Sequence, residues 1–320
     1  MNGIEVLCQY QNGRKSFIRN SLSRIEIIQS DLSAVDFSRA ELEWVNFSGT
    51  NLSRANLHRA DLMHAKLIGT KLISANLKSA DLSFADLSWV NCENAALVRA
   101  DLIDTNLSGA NLLKADLTDA NLSGANLTGV NLSGANLSRA NLSGANLTGV
   151  DFSGANLSRV DFSNANFEEA NLVEVDFFRA EMSECNLQQA TLIHTTLKGA
   201  NFSNANLRGA SLKGVVLKNL KNTLSMKSEF NIPELSQSDR LDLSGANLSG
   251  ANLSGANFQN CSFRFAFMQK ANLYKANLKD SSLIEVHLKN SNMQSANLNN
   301  SILSGINLQG TTMPDGSVHQ

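Results

Sequence analysis

Proline is nearly missing from these 320 residues, occurring only at Pro233 and Pro314, and tryptophan and tyrosine number two each. Long apolar runs are missing too. The longest, Ala95 to Val98 and Phe265 to Met268, hold four residues, against the roughly 20 that span a bilayer as a helix. A membrane-crossing helix is therefore not expected. The four cysteines stand far apart at 8, 92, 185 and 261, which excludes a disulfide framework and C-x-x-C metal spacing. Charge of one sign is lacking as well: 27 basic against 29 acidic residues leave −2, so no overall field draws the chain to nucleic acid or acidic lipid. Met1 to Tyr10 carries Glu5 and lacks the basic start and apolar stretch of a signal peptide. The expected location is the cytoplasm.

What the sequence has instead is a period of five. Leu, Ile or Phe recurs at every fifth position from Phe17 to Leu217, with only Cys92 and Met182 departing, and again in register from Leu243 to Met313. Two positions before most of them lies a small or β-branched residue such as Ala55, Ala60, Thr105 or Val130, commonly with Asn or Asp between. The unit reads A-[N/D]-L-S-x. Strict spacing of five fits neither a heptad nor a 3.6-residue stripe. Two inward residues separated by one outward residue make a short extended piece, and the other two residues must turn the chain. A corner of about 90° per unit closes a square after four units, and successive coils then stack at about 4.8 Å. The array amounts to about 14 coils of an all-β solenoid.

Charge supplies an independent check on four units per coil. Arg19, Arg39, Arg59, Arg99, Arg139, Arg159 and Arg179 share a 20-residue lattice, interrupted by Ser79 and Asp119. Two residues later runs an acidic lattice of Glu41, Asp61, Asp81, Asp101, Asp161 and Glu181. Two columns flanking one corner are expected, a structural charge ladder in which each column offsets repulsion within the other.

On these residues, and on stretches such as Asn121 to Gly149, the sequence resembles the pentapeptide-repeat proteins. That resemblance covers about residues 17–217 and 241–313 and implies a right-handed quadrilateral β-helix. Met1 to Leu22 resembles the short helical N-terminal cap, and Met313 to His319 the tail, of cyanobacterial-type members. Of activity the resemblance implies less: some members protect DNA topoisomerases by imitating DNA, and one cyanobacterial member regulates heterocyst differentiation through protein contacts.

A helix over about residues 3–11 is expected, with Ile4, Leu7 and Cys8 on its inner face and Gly13 as its stop. The organisation reads as a helical cap over 1–16, repeats over 17–217, a loop insertion over 218–240, continued repeats over 241–313 and a tail over 314–320. Arg240-Leu241-Asp242-Leu243 repeats the corner of Arg179-Ala180-Glu181-Met182. The insertion should thus be one of 21 residues, after which the same columns resume. Few residues follow Pro314, and the last coil is open to cover by a second subunit, a homodimer through the C-terminal end.

No catalytic, cofactor-binding or metal-binding residues are expected. Cys92, Cys185 and Cys261 fall on inward positions; His58, His64, His194, His287 and His319 lack ligand spacing. The central Asn residues, such as Asn126, Asn146 and Asn166, read as a hydrogen-bonded ladder. No enzyme is expected, and nucleic acid and membrane are not expected partners. The favoured function is a scaffold for an unidentified protein partner, in differentiation or stress regulation. The alternative is a DNA-mimic modulator of a topoisomerase such as gyrase, which requires a strongly negative face. Outward positions that break the polar consensus place the candidate contact surface at Trp44, Met63, His64, Ile68, Phe84 and Trp89.

Overall fold

The computed structural model describes residues 1–197, 199–208, 210–212 and 241–320. The segment read as an insertion, 218–240, lies outside them. The chain divides into two compact units, Met1–Asn156 and Leu157–Gln320, each described by itself.

In both units the β-structure consists of isolated bridges, nearly all parallel and joining residues 20 apart, as in Glu41 to Asp61, Asn46 to Lys66, Asn51 to Lys71 and Asn56 to Asn76. Four bridges per 20 residues make each coil four-sided. Around each central apolar residue the backbone bonds run to both neighbouring coils, as when Leu62 N–H donates to Asp81 O at 2.7 Å and Asp61 N–H to Ala40 O at 3.0 Å. Within a coil, Ala65 N–H closes a turn on Leu62 O at 3.0 Å. The third residue of such a turn has positive φ, the geometry of a type II turn; Gly124, for example, sits at φ 69°.

Both inward positions are sealed in most repeats, although Leu303 in the second unit is 43% exposed. Leu62, Leu82 and Leu122 are fully buried, as are Ala65 and Ala125, each Leu contributing about 1.5–3 kcal/mol by burial. At several positions where Thr or Ser replaces the small inward Ala, the hydroxyl finds a carbonyl 23 residues back, though Thr195 turns to Leu192 O instead. Thr50 donates to Ile27 O at 2.6 Å and Thr105 to Leu82 O at 3.0 Å. The outward Asn has two tasks. Asn126 Oδ1 accepts from Thr128 N–H at 3.2 Å, holding its own turn, while Nδ2 donates to Asn106 Oδ1 at 3.2 Å in the previous coil.

In the second unit the register across the undescribed segment is set by bridges Asn201 to Asp242, Asn206 to Asn247 and Ser211 to Asn252. These partners are 41 positions apart rather than 20, so Asp242 stands above Asn201 as Asn201 stands above Glu181. Leu241 and Leu243 are buried.

Helix α1, Gly3–Gln11, starts on a capping box in which Asn2 Oδ1 accepts from Glu5 N–H at 2.9 Å and Glu5 accepts from Asn2 N–H at 3.1 Å. Gly13, at φ 94°, follows its last turn. Its buried face is Gly3, Val6 and Tyr10, not the expected Ile4, Leu7 and Cys8: Ile4 is 75% exposed and Cys8 is exposed. Close approach decides the face. A Cβ on Gly3 would stand 2.0 Å from Glu26 O, and Tyr10 O–H donates to Ser33 O at 2.7 Å. The opposite end of the chain folds back, with Thr312 bridged antiparallel to Val318.

Candidate interaction surface

Coil stacking brings Trp44, His64 and Phe84 into one column. Their N–H groups donate to Met63 O, Ser83 O and Ile103 O at 2.9, 3.0 and 2.9 Å, so each corner is pinned to the next coil. The rings follow the backbone. Trp44 and His64 stack with centroids 4.2 Å apart at 18°, and His64 and Phe84 at 5.2 Å and 19°. The Arg24 guanidinium lies 5.9 Å from the Trp44 ring. Trp44 and Phe84 remain 50% and 49% exposed, with Met63 and His64 half-buried. Ile68 is exposed at the next corner, the column to which Trp89 belongs, where 71% of Trp89 meets solvent. The Trp89 indole lies over Gly109, whose hypothetical Cβ would meet it at 2.6 Å.

These aromatics occupy costly backbone. Trp44, His64, Phe84 and Trp89 have φ of 59°, 56°, 60° and 58°, where an L-residue is disfavoured by roughly 1–2 kcal/mol and glycine is not. The equivalent corners later in the first unit, Gly124, Gly144, Gly129 and Gly149, are glycine. Bulky residues at such angles are worth tracing to function.

The charge lattices are arranged differently from the expected mutual compensation. Bridges do put Glu41, Asp61, Asp81 and Asp101 in one column. Their carboxylates, however, hold backbone: Asp61, Asp81 and Asp101 accept from Met63, Ser83 and Ile103 N–H at 3.1, 2.9 and 3.2 Å. In the second unit Asp161 and Glu181 do the same for Ser163 and Ser183 N–H. Arg39, Arg59, Arg99 and Arg139, like Arg159 and Arg179, occupy positive-φ corners. Among the described residues Arg39 and Arg59 form no ion pair, while Arg139 grips Asp119 through two bonds of 2.6 and 2.8 Å. Arg99 approaches the same carboxylate at 4.0 Å. Asp119, an interruption of the arginine lattice, is thus its partner. Hydrogen bonding to Arg139 holds its carboxyl below the usual range.

Cys92, Cys185 and Cys261 are buried, and burial pushes the first two thiols up to about 12. Among the described residues no group of three or more His, Cys, Asp or Glu could hold a metal ion, and no helix is long and apolar enough to cross a membrane. One aromatic pair escaped sequence reasoning. In the second unit Phe267 stacks on His287 at 5.1 Å and 4°, with Phe265 exposed nearby in sequence. Its signal was legible: Phe267 occupies the Asn position of the repeat.

Four-sided coils of five-residue units define a repeat protein. The family model for pentapeptide repeats matches in eight copies, over 21–54, 55–91, 85–124, 115–154, 155–192, 180–219, 242–280 and 271–310, and the chain belongs to that family. Among solved structures it is 30% identical to HetL, a pentapeptide repeat protein involved in heterocyst differentiation regulation from the cyanobacterium Nostoc sp. strain PCC 7120. That match covers 100% of both chains, with TM-score 0.34. It is 34% identical to a pentapeptide repeat protein of the Arabidopsis thaliana thylakoid lumen over 31% of this chain and 66% of that one, TM-score 0.25. QnrB1, a plasmid-mediated fluoroquinolone resistance protein, is 14% identical over 78% of this chain and 92% of its own, TM-score 0.25. No curated protein matches significantly. The family matched is a repeat family, and no catalytic family is indicated.

Proposed function

We propose that the chain is a non-enzymatic, cytoplasmic scaffold that binds a protein partner through Trp44, Met63, His64, Ile68, Phe84 and Trp89. The observation that carries this reading is the half-exposed Trp44–His64–Phe84 stack, held at positive φ where glycine would be relaxed. Exposed, clustered aromatics are typical anchors of protein interfaces. A regulatory role fits the likeness to HetL. With this reading goes a right-handed quadrilateral helix of about 14 coils, capped by 1–16, interrupted over 218–240, and carrying arginine and acidic columns as structure. The DNA-mimic alternative is disfavoured by arginine corners beside the acidic column and by a net charge of −2.

The test is capture from a lysate of the source cells on immobilised wild type and on Trp44→Gly/Phe84→Gly, with bound proteins identified by mass spectrometry. A partner retained by wild type and lost by the double variant is expected. Equal capture by both overturns the assignment of this surface.

A further inference from the structure

In the second unit, the ladder of outward Asn residues that includes Asn186 and Asn206 is broken by Phe267 and His287. Replacing an Asn here has three local consequences. First, the N–H groups two residues on, at Gln269 and Lys289, lack the side-chain acceptor that Asn206 and Asn247 give to Arg208 and Ser249. Second, Asn247 loses the rung that would donate to it. Its Oδ1 accepts only from Ser249 N–H at 3.2 Å, and among the described residues its Nδ2 has no partner. Third, the Phe267 ring, stacked on His287 on one side, keeps its other face open and is 44% exposed.

That open face borders a surface cleft of about 540 Å³ lined by Arg208, Asn247, Ser249, Gly250, Phe267, Gln269 and Lys270. The volume falls in the range of small-molecule sites. Gly250 leaves the floor clear, since a Cβ there would meet nothing within 4 Å. Ser249 and Gln269 are tied together at 2.9 Å. The lining contains two cations, Arg208 and Lys270, and no carboxylate. A third cation, Lys289, follows His287 by two residues.

A flat ring platform, an amide edge with unused donors and acceptors, and paired cations match one ligand chemistry: a planar base carrying a phosphate. We propose that this cleft binds an adenine nucleotide. The base continues the His287–Phe267 stack, the Asn247 amide pairs with the adenine edge, and Arg208 and Lys270 receive the phosphate. Base–aromatic stacking and Asn–adenine pairing are the usual means of such recognition, and guanidinium and ammonium groups the usual means for phosphate. The same chemistry is offered by a free nucleotide and by a nucleotide within a single strand.

Titration calorimetry of the full chain at low salt with AMP, ribose 5-phosphate and a single-stranded oligoadenylate tests it. Phe267→Asn, which restores the ladder consensus, is expected to weaken AMP about 5- to 150-fold. Arg208→Ser/Lys270→Ser should weaken it further as salt is lowered, while ribose 5-phosphate, lacking the base, should be indifferent to Phe267→Asn. Oligoadenylate binding that depends on Phe267 without measurable AMP binding would support the site and make the strand its source. Failure of both adenine probes to bind, or binding unaffected by either set of replacements, overturns the proposal. Circular dichroism confirms that the exposed replacements leave the coils intact.

Discussion

Replacing Trp44 and Phe84 together by glycine should leave the protein about as stable as it was. Each side chain now sits at φ near 60°, and glycine relieves roughly 1–2 kcal/mol of backbone strain per position. Against this, a more flexible unfolded chain costs about 0.4–1 kcal/mol per glycine. The two ring contacts at 4.2 and 5.2 Å are lost with His64, at about 0.5–1.5 kcal/mol each. Relief and loss nearly cancel, leaving about 1 kcal/mol in either direction. The contrast is Leu82→Ala in the same coils, which empties a fully buried site and should cost about 2–5 kcal/mol. Urea unfolding followed by circular dichroism reads both, and Trp89 fluorescence in the double variant reports whether the neighbouring corner is undisturbed. A loss for Trp44→Gly/Phe84→Gly comparable to that of Leu82→Ala would show that the aromatic column is a structural buttress, and the strain argument would fall with it.

Only Cys8 should react with a thiol reagent in the native protein, because the other three cysteines are buried and Cys92 and Cys185 titrate near 12; fast modification of more than one thiol per chain would contradict the packing. Gly3→Val should loosen α1 by about 1–3 kcal/mol, since its Cβ must displace the Glu26 carbonyl; hydrogen exchange of the helix amides would register the loss. The carboxyl of Asp151 is held below its ordinary 3.8 chiefly by the Ser153 hydroxyl, with Ser153 N–H and the Ser133 hydroxyl adding to it. A depressed folded value means that its stabilisation is present above about pH 4 and lost as pH falls through the folded value. Asp151→Asn should therefore flatten the acid limb of a pH–stability curve, and an NMR titration placing this carboxyl at or above 3.8 would refute the hydrogen-bond reading.

The spacing of five by itself determined which residues face inward, and with it that Cys92, Cys185 and Cys261 are buried, because side-chain alternation is a property of the local chain, while the 20-residue charge lattices supplied four units per coil. It also put Trp44, His64 and Phe84 on one column, since a shared 20-residue lattice is a statement about stacking. What it left open depends on groups meeting through space. The inner face of α1 was decided by how close a helix can come to the Glu26 carbonyl, which favoured Gly3, Val6 and Tyr10 over the more apolar Ile4 and Leu7. The acidic residues turned to backbone N–H groups two positions on, and Arg139 found its carboxylate in Asp119. At Phe267 the sequence showed only a broken consensus. The tertiary structure showed what the break uncovers, because an amide nitrogen without a partner among the described residues and an open ring face exist only once neighbouring coils have aligned Asn247, Phe267 and His287.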